Sequence, residues 1–272
     1  MPVTVRTCTS AAEAAGILAN DRGARFLAGG TLVMRALNEG DVALHTVVRA
    51  TDPALGRIDA SGSRVTLGAG VTLSRILAER DLAFLHPVAR TIGGPAVRNM
   101  GTVGGNLFAP SPYGDLTVAL LALDATVAVQ SGFGARETPL EEFLSGRDRL
   151  ASVLVLSVSF PRPPTPDAFR WRKVSRVKPK GASVLSIAAC LPRSGGRVQG
   201  ARIAFGAMGP TPLRAKGAER ALEGRSLDAS DIQAAVQAAL EGMNPADDSI
   251  ASAWYRREVA GAHLHRMLAG EA

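Results

Sequence analysis

Residues 91–115 read TIGGPAVRNMGTVGGNLFAPSPYGD, and Gly93, Gly94, Gly101, Gly104 and Gly105 put five glycines into the first sixteen positions. Glycine tolerates positive φ and lets bare backbone approach a ligand closely. Consecutive N–H groups in such turns form concave nests that favour anions, phosphate above all. Thr102 and Asn106 flank the double glycine with hydrogen-bonding side chains, and Asp115 opens an apolar helical run, DLTVALLAL. Two readings fit these residues. One is a loop that wraps a diphosphate, with a carboxylate placed to accept a bond from a hydroxyl. The other is an irregular glycine-rich connection.

A second pair, Gly29 and Gly30, sits in FLAGGTLVM (26–34), which reads as a short apolar strand, a turn and the start of a helix. It is another backbone anion site of similar size, and two such loops imply a long ligand clamped between two lobes. No GxGxxG is intact, because Leu73 stands where a third glycine would follow Gly68 and Gly70. No GxxxxGK[ST] occurs either, so neither a dinucleotide-binding Rossmann turn nor a P-loop is present by sequence.

Taken in order, AGGT (28–31), IGGPAVRNMGTVGGN (92–106) and SPYGD (111–115) resemble the flavin-binding medium subunit of molybdenum hydroxylases. That family includes the xanthine, carbon monoxide, and aldehyde or N-heterocycle dehydrogenases. The resemblance continues through LGAGVTL (67–73), LLALDATV (120–127), SFP (159–161), KVSR (173–176), AERALEG (218–224) and SAWYR (252–256). It implies FAD on this chain, with Leu27, Ala28, Gly29, Gly30, Thr31, Leu32 and Val33 in the first cofactor loop. Gly101, Thr102, Val103, Gly104, Gly105 and Asn106 form the second, where the amides of Gly104 and Gly105 are expected to touch phosphate. The family usually carries a polar residue where this chain has Leu32, which leaves the backbone amides as the contact there.

The resemblance also places Ile92 and Val155 against the isoalloxazine, and Asp115 at a ribose hydroxyl on the adenosine side of FAD. It puts Lys173 near the flavin, where a cation beside the N1–C2 edge favours the anionic reduced form. Read by residue type alone, Asp115 is a good helix N-cap, Ile92 and Val155 are ordinary core, and Lys173 is a solvated strand lysine. Arg98 and Asn99 sit within the motif, and the sequence assigns them no role toward the flavin.

The fold implied is α+β: a two-lobed FAD-binding domain of the PCMH type (1–54 and 55–165) and a C-terminal α+β domain (166–272) with a three-stranded sheet and helices. The implied partners are a small subunit with two 2Fe–2S clusters and a large subunit with a molybdopterin cytosine dinucleotide-type molybdenum cofactor, assembled as a dimer of heterotrimers. In such a complex this chain relays electrons from the clusters to NAD or another acceptor and oxidises no substrate alone. Two alternatives are a self-contained flavin oxidoreductase, which needs its own acid or base, and a flavin-free assembly subunit.

Composition agrees with a relay role. The 272 residues are 46% hydrophobic, enough for a sizeable core in two or three lobes. A surplus of 31 Lys and Arg over 24 Asp and Glu is scattered, and aromatics are only 4%, unlike the basic patch and stacking rings of a nucleic-acid binder. Cys8 and Cys190 are the only cysteines, whereas a 2Fe–2S cluster takes four ligands. His45, His86, His263 and His265 form no HExxH and no metal-binding cluster with carboxylates. The first residues lack a signal-peptide core, and the longest apolar stretch, 116–129, is too short to span a bilayer, so the expected location is cytoplasmic.

The elements that would hold the loops follow from pattern. Ser10 and Glu13 predict a capped helix to about Ala19. Strands are expected near 25–28 and over 45–50, 64–70, 126–131 and 153–160. In the last, Leu154, Leu156, Val158 and Phe160 alternate onto one face. Helical segments are expected from about 32 to Gly40 and from Thr72 to about Arg80. After the Pro-rich joint PRPPTP (161–166), strands are predicted at 169–175, 184–191 and 202–208, then helices near 213–223, 230–241 and 252–269. Ile232, Val236 and Leu240 form the apolar stripe of the second.

Overall fold

The computed structural model describes residues 3–132, 134–147, 153–178 and 180–271. The chain gathers into two compact units, and each is assembled from separated stretches. Met1–Leu82, Gly93–Ala109 and Ala125–Phe160 form the first, and Ala83–Ile92, Pro110–Asp124 and Pro161–Ala272 form the second.

The first unit opens with β1 (Thr4–Cys8), α1 (Ala11–Asn20), β2 (Ala24–Phe26), α2 (Val33–Asn38) and β3 (Thr46–Ala50). Ser10 starts α1 as expected: its Oγ accepts from the Glu13 amide at 3.2 Å, while Glu13 Oε2 accepts from the Thr9 amide at 3.0 Å. The strands form a parallel sheet in the order β1-β3-β2. Ala14, Ala15 and Leu18 of α1 pack on Cys8 and Val48 of that sheet. A strand at β1 is not legible from the sequence, because four of its five residues are exposed and no burial alternation marks it.

The chain continues through β4 (Ile58–Asp59), β5 (Arg64–Gly68) and α3 (Leu73–Ala78). Helix α4 (His86–Arg90) belongs to the second unit, α5 (Pro95–Met100) and α6 (Val103–Asn106) to the first, and α7 (Asp115–Ala122) again to the second. Then β6 (Thr126–Ser131), β7 (Gly134–Pro139), α8 (Leu140–Gly146) and β8 (Leu154–Pro161) return to the first unit. Its larger sheet runs β4-β5-β8-β6-β7. The expected inward face of β8 is present, with Leu154, Val158 and Phe160 buried and Leu156 partly so.

In the second unit β9 (Phe169–Ser175), β10 (Ser183–Cys190), β11 (Arg193–Ser194), β12 (Arg197–Val198), β13 (Arg202–Gly206) and β14 (Leu213–Arg214) precede α9 (Lys216–Leu222), α10 (Ala229–Ala238) and α11 (Ala253–Ala269). The main sheet is antiparallel in the order β14-β13-β10-β9. The three expected strands are there, and a short fourth, β14, stands where a helix was expected from 213. Leu213 and Arg214 pair with Phe205 and Ala204, so α9 begins only at Lys216. Helix α7 is buried at every position and packs against β10 and β13. Gly206 makes that approach possible: a Cβ there would sit 2.6 Å from Val118 Cγ2.

Arg256, in the first turn of α11, is the largest fully buried side chain. Its guanidinium donates to the carbonyls of Val184 (2.8 Å), Ala246 (2.6 Å) and Ala251 (3.1 Å) and forks onto both Asp248 oxygens at 2.9 and 2.8 Å. Removing one partner of a buried pair costs about 3–5 kcal/mol, so Arg256→Ala should lower the denaturation midpoint sharply. Burial alone would raise the Asp248 carboxyl, but the Ala251 and Ile250 amides and Arg256 outweigh it and hold the group below its ordinary value. The stability from this group is then present above the unfolded carboxylate value, about 3.9. It is lost as pH falls through the depressed folded value. Acid titration of unfolding should show that loss in the native chain and a flatter limb in Arg256→Ala.

Candidate cofactor site

The first glycine loop begins where β2 runs out. The Leu27 amide still donates to Val48 O at 2.7 Å, and the Met34 amide donates to Gly30 O at 2.9 Å as α2 starts. Between them, the amides of Ala28, Gly29, Gly30, Thr31, Leu32 and Val33 have no acceptor among the described residues. None of these six residues is buried, so the run stays open to solvent or to a ligand, and Leu32 and Val33 add the free amides of a helix start. Gly30 turns the chain with φ +73.

Gly29 decides where this loop rests. A Cβ added there would lie 1.6 Å from Met100 O, so its bare backbone lies directly on the carbonyl that ends α5. The structure thus brings the two glycine loops together within the first unit.

The second loop has a different character. Thr102 caps α6, its Oγ1 accepting from the Gly105 amide at 3.1 Å. The Val103 amide donates to Val71 O at 2.9 Å, Gly104 to Ala69 O at 2.8 Å, and Asn106 to Thr102 O at 2.9 Å. The free amides expected at Gly104 and Gly105 are therefore absent, because both donate within the chain. Neither residue has positive φ. Gly104 is glycine because it is buried against the end of β5: a Cβ there would fall 2.7 Å from Ala69 Cβ. Thr72 and Thr102 form an isolated antiparallel bridge, and the Leu73 amide donates to Gly101 O at 3.0 Å, tying the loop to the start of α3.

Arg98 and Asn99 serve the same scaffold. Arg98 Nη1 donates to Gly93 O and Ser74 Oγ to Asn99 Oδ1, each at 2.5 Å. Val155 lies buried in β8 opposite Val129, at a bulge in the pairing with β6.

Ile92, Asp115 and Lys173 lie in the second unit. Ile92 is half-buried, its amide donating to Ala89 O at 3.3 Å. Gly114, with φ 96, takes the N-cap position of α7, so Asp115 is the first helical residue rather than the cap. There a carboxylate also meets the favourable end of the helix dipole. Lys173 Nζ donates to Asp115 Oδ2 at 2.7 Å and to Thr91 O at 2.9 Å, and Ser183 Oγ donates to Asp115 Oδ1 at 2.7 Å. The Lys173 and Asp115 side chains are only 7% and 6% exposed, so Lys173 is not a solvated strand lysine. Each carboxylate oxygen keeps a second lone pair, which leaves Asp115 acceptor capacity in a fixed orientation. Ser183 and Thr91 are absent from the sequence reading; a hydroxyl at the head of an apolar strand and a backbone carbonyl give no signal of their own.

FAD fits the loops of the first unit by chemistry. Open amides on Ala28–Val33 suit a diphosphate, and Gly29 puts no side chain between its backbone and Met100 O. A family model for the FAD binding domain in molybdopterin dehydrogenase matches residues 2–163. The chain belongs to the FAD-binding medium subunits of the molybdenum hydroxylases. A second model, the CO dehydrogenase flavoprotein C-terminal domain, matches residues 171–270. The chain is 32% identical to the 6-hydroxypseudooxynicotine dehydrogenase complex subunit alpha of Paenarthrobacter nicotinovorans, over 80% of this chain and 76% of that one. It is 30% identical to the carbon monoxide dehydrogenase medium chain of Afipia carboxidovorans, over 75% and 73%. Its fold superposes on a chain of reconstituted CO dehydrogenase from Oligotropha carboxidovorans with a TM-score of 0.89, at 26% identity over 99% and 98% of the two chains.

As a flavoprotein subunit of an oxidoreductase, the chain buries both of its cysteines. Burial pushes the Cys190 thiol up to about 11 and raises Cys8 as well. Among the described residues no helix is long and apolar enough to cross a membrane.

The two glycine loops should respond differently to mutation. Gly30→Val forces a β-branched residue to positive φ, costing about 1–2 kcal/mol. It also displaces amides whose bonds to a charged acceptor are worth roughly 1.5–3 kcal/mol each. Flavin affinity should fall about a hundredfold or more, with a native-like far-UV spectrum. Gly104→Val drives a side chain into Ala69 and should cost about 1–3 kcal/mol of stability, read as a lower melting temperature. Arg136→Ala, on exposed β7, should change neither; unchanged flavin content in Gly30→Val would remove the first loop from the site.

Proposed function

We propose that this chain is the FAD-carrying electron-transfer subunit of a molybdenum hydroxylase complex. It receives electrons from two 2Fe–2S clusters on a small partner subunit, fed by a large molybdenum subunit, and delivers them to NAD or another acceptor. The observation that carries this reading is the run of open amides from Ala28 to Val33. Six donors in a row match the charge of a diphosphate linking a flavin to an adenosine. Bound FAD supplies the conversion between one-electron and two-electron chemistry, while the protein binds, orients and tunes.

The roles we propose for this chain's residues are those the family resemblance implies. Ala28–Val33 hold the diphosphate through backbone donors. Gly29, by lying on Met100 O, fixes that cradle against the second loop, whose Gly101–Asn106 segment gives the site its shape. Asp115 offers an oriented acceptor to a hydroxyl of the cofactor, Lys173 and Ser183 hold its carboxylate, and Ile92 and Val155 contribute apolar surface toward the ring. Two cysteines, both buried, leave the clusters to the partner. The names of the relatives, medium chain and complex subunit, support a place beside small and large subunits, and a dimer of such heterotrimers is the assembly we infer.

Ligand released by acid from the purified chain should co-elute with FAD on a column; FMN alone would defeat the diphosphate assignment. The isolated holo-chain should show no flavin bleaching with aldehydes, CO or N-heterocycles. Bleaching should appear once the small and large subunits are added. Substrate-dependent reduction in the chain alone would overturn the relay.

A further inference from the structure

Strand β9 ends its sheet, and its outer edge is unpaired among the described residues. The pairing with β10 shows which groups point outward. The Leu191 amide donates to Ala168 O at 2.7 Å, and the register places Arg170 opposite Ala189 and Arg172 opposite Ile187. In an antiparallel ladder, residues alternate between bonding the neighbour and facing away. Arg170 and Arg172 therefore bond β10, while Trp171 and Lys173 turn their N–H and C=O groups to the open side. None of those four backbone groups has a partner among the described residues.

These groups lie in an open groove of about 970 Å³, all of whose lining residues belong to the second unit. Pro87 and Thr91 stand on one side, and Met267, Gly270 and Glu271, at the end of α11, on the other. Trp171 lines the groove, while its indole N–H is buried and has no acceptor among the described residues. An exposed strand edge is a template for pairing and is normally blunted or covered. Here walls on both faces of the sheet leave a slot whose floor is unpaired backbone, which suits an extended chain.

Charge narrows the occupant. Lys173 is neutralised by Asp115, which leaves Arg170, Arg172 and Arg193 against Asp167 and Glu271 in the groove. Arg170 Nη1 caps the Met267 and Leu268 carbonyls at 2.6 and 2.9 Å, and Arg172 Nη2 donates to Glu271 O at 2.6 Å. Burial first, then the Arg193 charge, holds Arg170 below its ordinary value against the opposing pull of Asp167, so the cations outweigh the carboxylate there.

We propose that this edge is an assembly site: an extended segment of a partner subunit adds as a fifth strand beside β9, with a carboxylate directed at Arg193 and Arg170. This rests on the chain being one subunit of a multisubunit dehydrogenase. Strand addition draws affinity from main-chain bonds and specificity from alternate side chains. The added strand would satisfy the four outward backbone groups of Trp171 and Lys173.

Residue-resolved hydrogen exchange on the free holo-chain and on the purified complex tests this. The Trp171 and Lys173 amides should exchange fast in the free chain and slow by an order of magnitude or more on assembly. The amides of Arg170 and Arg172, already bonded to β10, should be protected in both. Trp171→Pro removes an outward donor, a change an edge strand tolerates, and Arg193→Glu reverses the charge. Both should weaken binding of the partner subunits in titration, and the second should flatten its salt dependence. Arg136→Glu should not. Equal exchange at 171 and 173 in chain and complex would overturn the proposal. Protection that instead rises with the concentration of the free chain would replace the partner by a second copy. Flavin content and electron transfer, measured in parallel, report on the relay separately: an intact relay with unprotected edge amides sinks the strand addition alone.

Discussion

Backbone donors in a folded chain need acceptors, and the first unit depends on where that rule is suspended. From Ala28 to Val33 the chain keeps six donors open. It does so because β2 stops at Phe26 and α2 does not begin until Val33. Solvent satisfies such groups only while they are exposed, so the loop must stay at the surface and still be held in one shape. Gly29 against Met100 O supplies the hold with no side chain. The second loop, bonded to Ala69, Val71 and Thr102, is the rigid surface it rests on. One loop offers donors because the other has used its own.

A different constraint governs the second unit. Asp115 and Lys173 are 58 residues apart in sequence and meet in a buried ion pair. Burying two charges is costly unless their remaining polar capacity is used. Thr91 O accepts a second N–H bond from the ammonium, and Ser183 Oγ donates to the second carboxylate oxygen. The result is an acceptor whose orientation is set from three elements, α7, β9 and β10, before any ligand arrives.

The sequence was legible where local physics governs. Strands with a buried face, such as β8 and β13, and capped helices such as α1 and α11 stand close to their expected limits. Three edge strands were not: β1 and β7 expose most of their residues, and β14 is only a two-residue pairing. The glycine pairs show the same limit more sharply. Gly29–Gly30 and Gly104–Gly105 look alike in sequence, yet one pair is open and the other donates to the chain. Ala69 and Val71, which make that difference, lie more than thirty residues before the second pair. Likewise nothing around Lys173 announces that its charge is matched by the first residue of a helix far upstream.

The closeness of Ala69 and Gly104 carries an evolutionary corollary. Their Cα atoms share room for a single methyl group, and Ala69, just past β5, already supplies it. The two positions therefore behave as one steric locus divided between a strand end and a helix start. A methyl gained on one side is tolerated only if one is given up on the other, and the energetic effects of the two changes do not add. A substitution at Ala69, which carries no motif and touches no phosphate, can open or close the neighbourhood of a glycine that does carry one.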